Sequence, residues 1–246
     1  MLSIIIPSLN EEKYLPLLLE SIKRQKFGAG PKGYPGSYEI ILADAGSKDK
    51  TLEIAKKYGC IITKGGLPAK GRNEGAKIAK GEVLFFLDSD VILPNNFLKK
   101  SFQEFYKRNL DIASFSLIPI SKSKVSRFFL DVFYNSPSIL FENVLPHAAM
   151  GIIIKKELFK EIGGFDEEIK LAEDHYLARI AKSLFEAKFG IIKSTKLFIS
   201  ERRFKTDGWI KTGVKCLFCQ LHMMFWGPVK SDIFKYKFAH YDKAKK

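Results

Sequence analysis

Over its first hundred residues the chain alternates short apolar runs with segments of helical periodicity. Ser3 to Pro7 is a β-branched run, and after Asn10-Glu11-Glu12 the apolar residues Tyr14, Leu15, Leu18, Leu19 and Ile22 recur at helical spacing. A Gly- and Pro-rich loop over 28–37 leads to a second strand, Tyr38 to Ala43. The pattern then predicts a helix over Lys50 to Tyr58, a strand over Cys60 to Thr63 and a helix over Asn73 to Lys80. Val83 to Leu87 is apolar throughout and ends in Asp88-Ser89-Asp90. Strands without inward–outward alternation, separated by helices, predict an α/β fold with a mostly parallel sheet flanked by helices on both faces. Ligands on such sheets bind at the carboxyl ends of the strands. Asn10, Asp44 and Asp88 are therefore expected to meet along one edge.

Beyond residue 110 the alternation loosens. Asp111 to Pro119 and Gly151 to Ile154 read as strands, and Val125 to Leu140 as an aromatic-rich helix or loop. Leu158 to Ile162 leads into Gly163-Gly164-Phe165-Asp166, and Glu173 to Phe185 is amphipathic. Two long apolar stretches, Phe128 to Pro146 and Val214 to Val229, are interrupted by polar residues, so no spanning helix is expected. They are expected to pack over the sheet as core. The alternative is peripheral contact with an anionic membrane surface, with Trp209, Trp226 and the lysines at head-group level. With no internal repeat or low-complexity linker, one domain over 1–200 with a basic, aromatic, helical extension over 201–246 is the expected organisation.

Composition narrows the partners. The 246 residues carry 41 Lys plus Arg against 27 Asp plus Glu, a net charge of +14, which suits nucleic acid, an anionic membrane or a phosphorylated substrate. A hydrophobic content of 46% excludes disorder over most of the chain. Three cysteines are too few for a disulfide scaffold and fit a reducing compartment. No secretory signal pattern precedes the first strand, so a cytoplasmic location is expected.

The candidate chemistry lies in four places. If the chain stays extended after Leu87, Asp88 and Asp90 share a face, and a hard divalent cation would relieve their repulsion; the alternative is a solvated turn. Lys70 and Arg72, with Asn73, could neutralise phosphate or form a solvated basic face. Asp44, closing the second strand, could accept hydrogen bonds from a base or ribose, or simply belong to a Gly-containing turn. Glu173 and Asp174 open a helix, either as caps or as a general base. Three motif matches fail on context: Gly28 to Gly33 (dinucleotide spacing), Gly66 to Gly71 (phosphate-loop spacing without its Lys) and the lone pair Cys216 and Cys219. His147 and His175 read as structural, and His222 as structural or as a metal ligand.

In order along the chain these segments resemble family 2 glycosyltransferases of the GT-A fold. The opening Ser3 to Glu12 is similar to that family's nucleotide-binding start, and Asp44-Ala45-Gly46-Ser47 to its second nucleotide motif, with Ala45 where a second aspartate is usual. Gly71-Arg72-Asn73-Glu74-Gly75-Ala76, then Gly81 and Asp88-Ser89-Asp90, resemble the sugar-nucleotide and metal segment. Met150-Gly151, Gly163 to Glu167 and Glu173-Asp174 resemble the acceptor side, and Arg202-Arg203 a later basic motif. The resemblance implies a donor half over about 1–110 and an acceptor half over about 111–200. It implies a nucleotide-diphosphate sugar donor held by Pro7, Ser8, Asn10, Glu11, Asp44, Lys70, Arg72, Asp88, Ser89, Arg202 and Arg203. Mg²⁺ or Mn²⁺ would sit on Asp90 with Asp88 assisting. Gly151 and Glu173 would face a saccharide or lipid-linked acceptor, and Asp174 would act as general base in an inverting transfer. A nucleotidyltransferase or transfer to a lipid phosphate are the enzymatic alternatives. A nucleic-acid partner is not expected, because Asp88, Asp90 and Asp174 would face its phosphates.

Overall fold

A computed structural model describes residues 1–26, 35–121, 123–202, 206, 208–231 and 233, the side chains of Trp209, Ile210 and Cys216 excepted. In the first half, β1 (Leu2–Ser8) is flanked by β2 (Tyr38–Asp44) and β4 (Val83–Leu87), and β3 (Ile61–Lys64) lies outside β2, all parallel. Three helices connect these strands: α1 (Leu15–Lys23), α2 (Thr51–Lys57) and α3 (Pro68–Ile78). α3 begins five residues before the expected Asn73, with Pro68 in its first turn, where a missing N–H costs nothing. It lies directly against β1. A Cβ at Gly75 would stand 2.4 Å from Ile5 Cγ2, and one at Gly71 would stand 3.1 Å from Pro7 Cβ. Gly71 and Gly75 therefore serve helix–sheet packing.

The second half adds β5 (Val91–Ile92), α4 (Phe97–Lys107), β6 (Ile112–Pro119), β7 (Gly151–Lys155), α7 (Lys156–Ile162), α8 (Glu173–Phe185) and β8 (Phe189–Ile199). The sheet order is β3-β2-β1-β4-β7-β6-β8-β5. β7 and β5 run against the other strands, so the sheet is mixed. β8 escapes sequence reading because Lys193, Ser194 and Thr195 interrupt its apolar run. The structure bulges there: Ile192 pairs with Phe115 and Lys196 with the next residue, Ser116. Glu104 of α4 accepts the freed N–H groups of Lys193 and Ser194. α4 itself buries Phe97, Leu98, Phe102 and Phe105 on one stripe.

Between β6 and β7 run α5 (Lys124–Leu130), a π-helical turn over Asp131–Asn135 and α6 (Ser136–Leu140). After β8 comes α9 (Trp209–Phe225). These segments do not form the core expected of them: Phe128, Phe133, Leu140, Leu217, Phe225 and Trp226 are exposed. No helix among the described residues is long and apolar enough to cross a membrane. The core instead occupies the two faces of the sheet. One side gathers Phe85, Phe97, Phe102, Phe105 and Phe115, and the other Phe86, Phe159, Phe165 and Phe189. With both faces filled, the polar residues collect at the strands' carboxyl ends.

Candidate functional site

Two guanidinium groups, one buried and one half-buried, organise that edge. Arg72, on the second turn of α3, is 4% exposed. Its Nη2 donates to Asp88 Oδ1 at 2.8 Å and its Nη1 to Glu173 Oε1 at 2.6 Å, while the guanidinium carbon lies 5.3 Å from the centre of the Phe165 ring. Arg72 thus ties the end of β4 to the start of α8. Asp174 follows in the first turn of α8 and accepts the backbone N–H of His175 at 2.8 Å. Burial pushes the Asp174 carboxyl up to about 6; Arg72 opposes the rise and Asp88 adds to it. Burial also raises Glu173, against the pull of Arg72.

Arg202, beyond β8, forms the second centre. Its Nη1 and Nη2 donate to the two oxygens of Glu11 at 2.9 and 2.5 Å, and its Nε lies 3.1 Å from Asp90 Oδ2. Tyr14 stacks beneath it, 4.9 Å from ring centre to guanidinium carbon. Burial raises the Glu11 carboxyl, Arg202 lowers it, and a Ser89 hydroxyl bond also favours the ionised form. Ser8 Oγ, buried at the end of β1, has no hydrogen-bond partner among the described residues.

The loops after β1 and β2 are laced together. Asp44 accepts the N–H groups of Gly46 and Ser47 at 2.9 Å each and the Ser47 hydroxyl at 2.5 Å. Ser47 Oγ accepts from the Asn10 N–H at 2.9 Å, and Asn10 Oδ1 accepts from Lys48 N–H at 2.6 Å. Beside this turn a cleft of about 400 Å³ opens, lined by Asp44, Gly46, Leu52, Ile62 and Gly65. Its walls pair apolar side chains with backbone polar groups.

Asn10, Asp44 and Asp88 stand at or just past the ends of neighbouring strands at one edge, and the other expected residues differ in placement. Asp88 and Asp90 do not share a face: a turn at Ser89 and Asp90 replaces the extended chain, and the carboxylates go to different arginines. Arg72 is turned inward onto carboxylates and does not offer a phosphate-binding face. Asp44 closes its own turn. Lys70 is exposed on α3 and joins neither arginine centre. Gly151 pairs with Leu87 beside Asp88, where a Cβ would press on Leu197 and Phe115 at 3.0 and 3.1 Å. Arg203 and the Gly28 to Gly33 segment lie outside the described residues.

Among the described residues no three His, Cys, Asp or Glu side chains gather into a metal cage. A hard cation completed by phosphate oxygens needs only one or two carboxylates. Asp90, with its side chain 17% exposed, supplies such a donor. The residues present therefore fit Mg²⁺ or Mn²⁺ bound together with a diphosphate. His222 Nδ1 lies 3.1 Å from the Gly227 carbonyl oxygen.

Sequence reading missed several partners. Asn73 Nδ2 donates to the Phe165 carbonyl and to Glu167 Oε1, each at 2.9 Å, and Asn73 Oδ1 accepts from Phe165 N–H. Gly164, at φ 85°, passes so close that a Cβ would stand 2.7 Å from Asn73 Oδ1. The His147 and His175 rings meet at a tilt of 53° with centres 3.8 Å apart, and burial holds both neutral, His175 at about 3. The clue available was the Asn directly after Arg72.

The sequence model of glycosyl transferase family 2 matches residues 3–163, which includes Arg72, Asp88 and Asp90. The chain belongs to glycosyl transferase family 2. Among relatives, the poly(ribitol-phosphate) β-N-acetylglucosaminyltransferase TarS of Staphylococcus aureus is 29% identical over 181 residues, 70% of this chain and 30% of TarS. The minor teichoic acid biosynthesis protein GgaB of Bacillus subtilis is 30% identical over 223 residues, 84% of this chain and 23% of GgaB. This family 2 chain thus spans less than a third of either relative. The crystal structure of TarS residues 1–349 superposes with a TM-score of 0.63 at 23% identity, over 92% of this chain and 72% of that one. The mannosyltransferase PcManGT of Pyrobaculum calidifontis, solved with GDP-Man and Mn²⁺, gives 0.64 at 18% identity, over 88% and 64%. At these identities the likeness is one of fold, and it is the GT-A fold that the family resemblance implies.

Proposed function

We propose that this chain transfers a sugar from a nucleotide-diphosphate sugar to an acceptor hydroxyl, with inversion, and that Asp174 is the general base. The observation that carries this reading is the Asp174 carboxyl. It is half-buried at the head of α8, near the Arg72–Asp88 pair, and raised to about 6. A base poised near the working pH is ionised yet still takes a proton readily, a role that contributes roughly 10²–10⁴-fold. A lipid phosphate is already ionised and needs no such base, which favours a hydroxyl acceptor.

The donor's base would enter the cleft beside Asp44, its ribose would lie toward Glu11 and Ser8, and its diphosphate would lie toward Asp90 and Arg202. TarS has been solved with UDP and with UDP-GlcNAc, which supports a donor of this class. Asp90 would hold Mg²⁺ or Mn²⁺, which supplies charge stabilisation for a departing nucleoside diphosphate, while Asp88 stays with Arg72. The chain's own part is distinct. Asp174 accepts the hydroxyl proton as the oxygen attacks the anomeric carbon. Arg202 places its positive charge beside the leaving diphosphate. Arg72 orients Asp88 and Glu173 without touching substrate.

Donor hydrolysis and transfer assays across nucleotide sugars, with calorimetry of donor binding, test this reading. Nucleoside diphosphate is expected as product, and Asp174→Asn is expected to lose turnover while binding donor normally. Release of pyrophosphate would instead identify a nucleotidyltransferase. Loss of donor binding together with turnover in Asp174→Asn would overturn the base assignment.

A further inference from the structure

Two neighbouring segments of the chain are packed inside out. In α9, Val214, Leu217, Phe218, Leu221, Met224 and Phe225 recur at three- and four-residue spacing, which places them on one stripe. That stripe faces solvent, each residue at least 37% exposed. The face turned to the protein buries Thr212, Cys219 and Met223. Between β6 and β7 the same inversion recurs. Ser126, Asn135 and Ser138 are buried, while Val125, Phe128, Phe133, Leu140 and Val144 are exposed. Asn135 explains the inward polarity here: its side chain pairs with both backbone groups of Leu117. The two segments touch where Gly213 of α9 faces the Phe133 ring, with a Cβ there 3.8 Å from the ring. Together they form one apolar surface, whereas monomeric soluble proteins rarely expose a large contiguous apolar patch.

Charge selects what covers it. From 208 to 229 the sequence carries Lys211 and Lys215 and no Asp or Glu, and Lys230 beyond them pairs with Asp166 and Glu168. Lys124 is exposed beside Val125, while Arg127, beside Phe128, pairs with Asp131 at 3.9 Å. A second copy would set lysines against lysines on a chain already at +14. An anionic lipid surface answers both features, with apolar side chains entering the acyl boundary and lysines meeting phosphates. Trp226, 76% exposed at the end of α9, is the residue type that gathers at that boundary.

We propose that α9 and the segment between β6 and β7 form a docking surface for an anionic lipid bilayer. α9 lies in the plane of the head groups with Phe218, Phe225 and Trp226 inserted. Its inner face is fixed to the catalytic half: Gln220 Oε1 accepts from Arg179 of α8 at 2.6 Å. Docking therefore holds α8, which begins with Glu173 and Asp174, at the membrane.

Flotation of the full chain with vesicles tests this, using phosphatidylcholine alone and phosphatidylcholine mixed with phosphatidylglycerol. Binding is expected on the mixed vesicles and to weaken with salt. It is expected to fall at least ~10-fold in the triple variant Phe218→Ser, Phe225→Ser, Trp226→Ser, with an unchanged melting temperature. Should that variant fold poorly, Lys211→Glu with Lys215→Glu is expected to give the same loss through charge alone. Absence of binding to mixed vesicles, equal binding to neutral ones, or binding that survives both variants would overturn the proposal. So would a solution dimer that the triple variant splits, since a second copy would then be the cover.

Discussion

At the residue scale, Arg72 and Asp174 carry opposite burdens. Arg72 neutralises the buried Glu173 and the half-exposed Asp88, and breaking a buried pair leaves an uncompensated charge. Arg72→Met is therefore expected to lower stability by roughly 3–5 kcal/mol in urea titrations. Arg72→Lys should recover only part, because an ammonium cannot present two fixed arms to Asp88 and Glu173. Asp174 is a liability to the fold. With its carboxyl raised from 3.8 to about 6, the native state holds the proton more tightly than the unfolded chain. Its favourable contribution is complete below about pH 4 and is lost as the pH rises through 6. Asp174→Asn is accordingly expected to stabilise the protein at pH 7 by at most about 3 kcal/mol, with no gain near pH 3. Both residues were legible in the sequence as candidates, but their pairing was not. Arg72 meets Glu173 across 101 positions and Arg202 meets Glu11 across 191, distances that no local pattern spans.

At the element scale, β1 and β4 were readable because each is buried on both faces. α8 was readable to the residue, since its stripe faces the core. α3 was misjudged at its start because Pro68 and Gly71 look like loop residues, whereas Gly71, with Gly75, lets the helix touch β1. Gly75→Ala is expected to lower the melting temperature despite alanine's higher helix propensity. Its Cβ would meet Ile5 Cγ2 at 2.4 Å, and overpacking at ~1–3 kcal/mol outweighs a propensity gain of ~1 kcal/mol. α9 and the Phe128 to Leu140 region defeated sequence reading for another reason. Periodicity reports that one face is apolar, but not which way that face points.

At the scale of the whole molecule, the sheet brings a nucleotide-sized cleft, two arginine centres and a raised carboxyl to one edge, while the basic apolar surface lies across α9. Catalysis at that edge is the central claim, and it separates cleanly from stability and from membrane contact. The most direct measurement is kcat against pH for the native chain beside Asp174→Asn, with donor Kd measured on both. The account predicts that native turnover falls about tenfold per pH unit below roughly 6. It predicts that Asp174→Asn loses on the order of 10²–10⁴ in kcat with donor Kd unchanged. A native profile flat through pH 6, or an Asn variant that turns over normally, would contradict it.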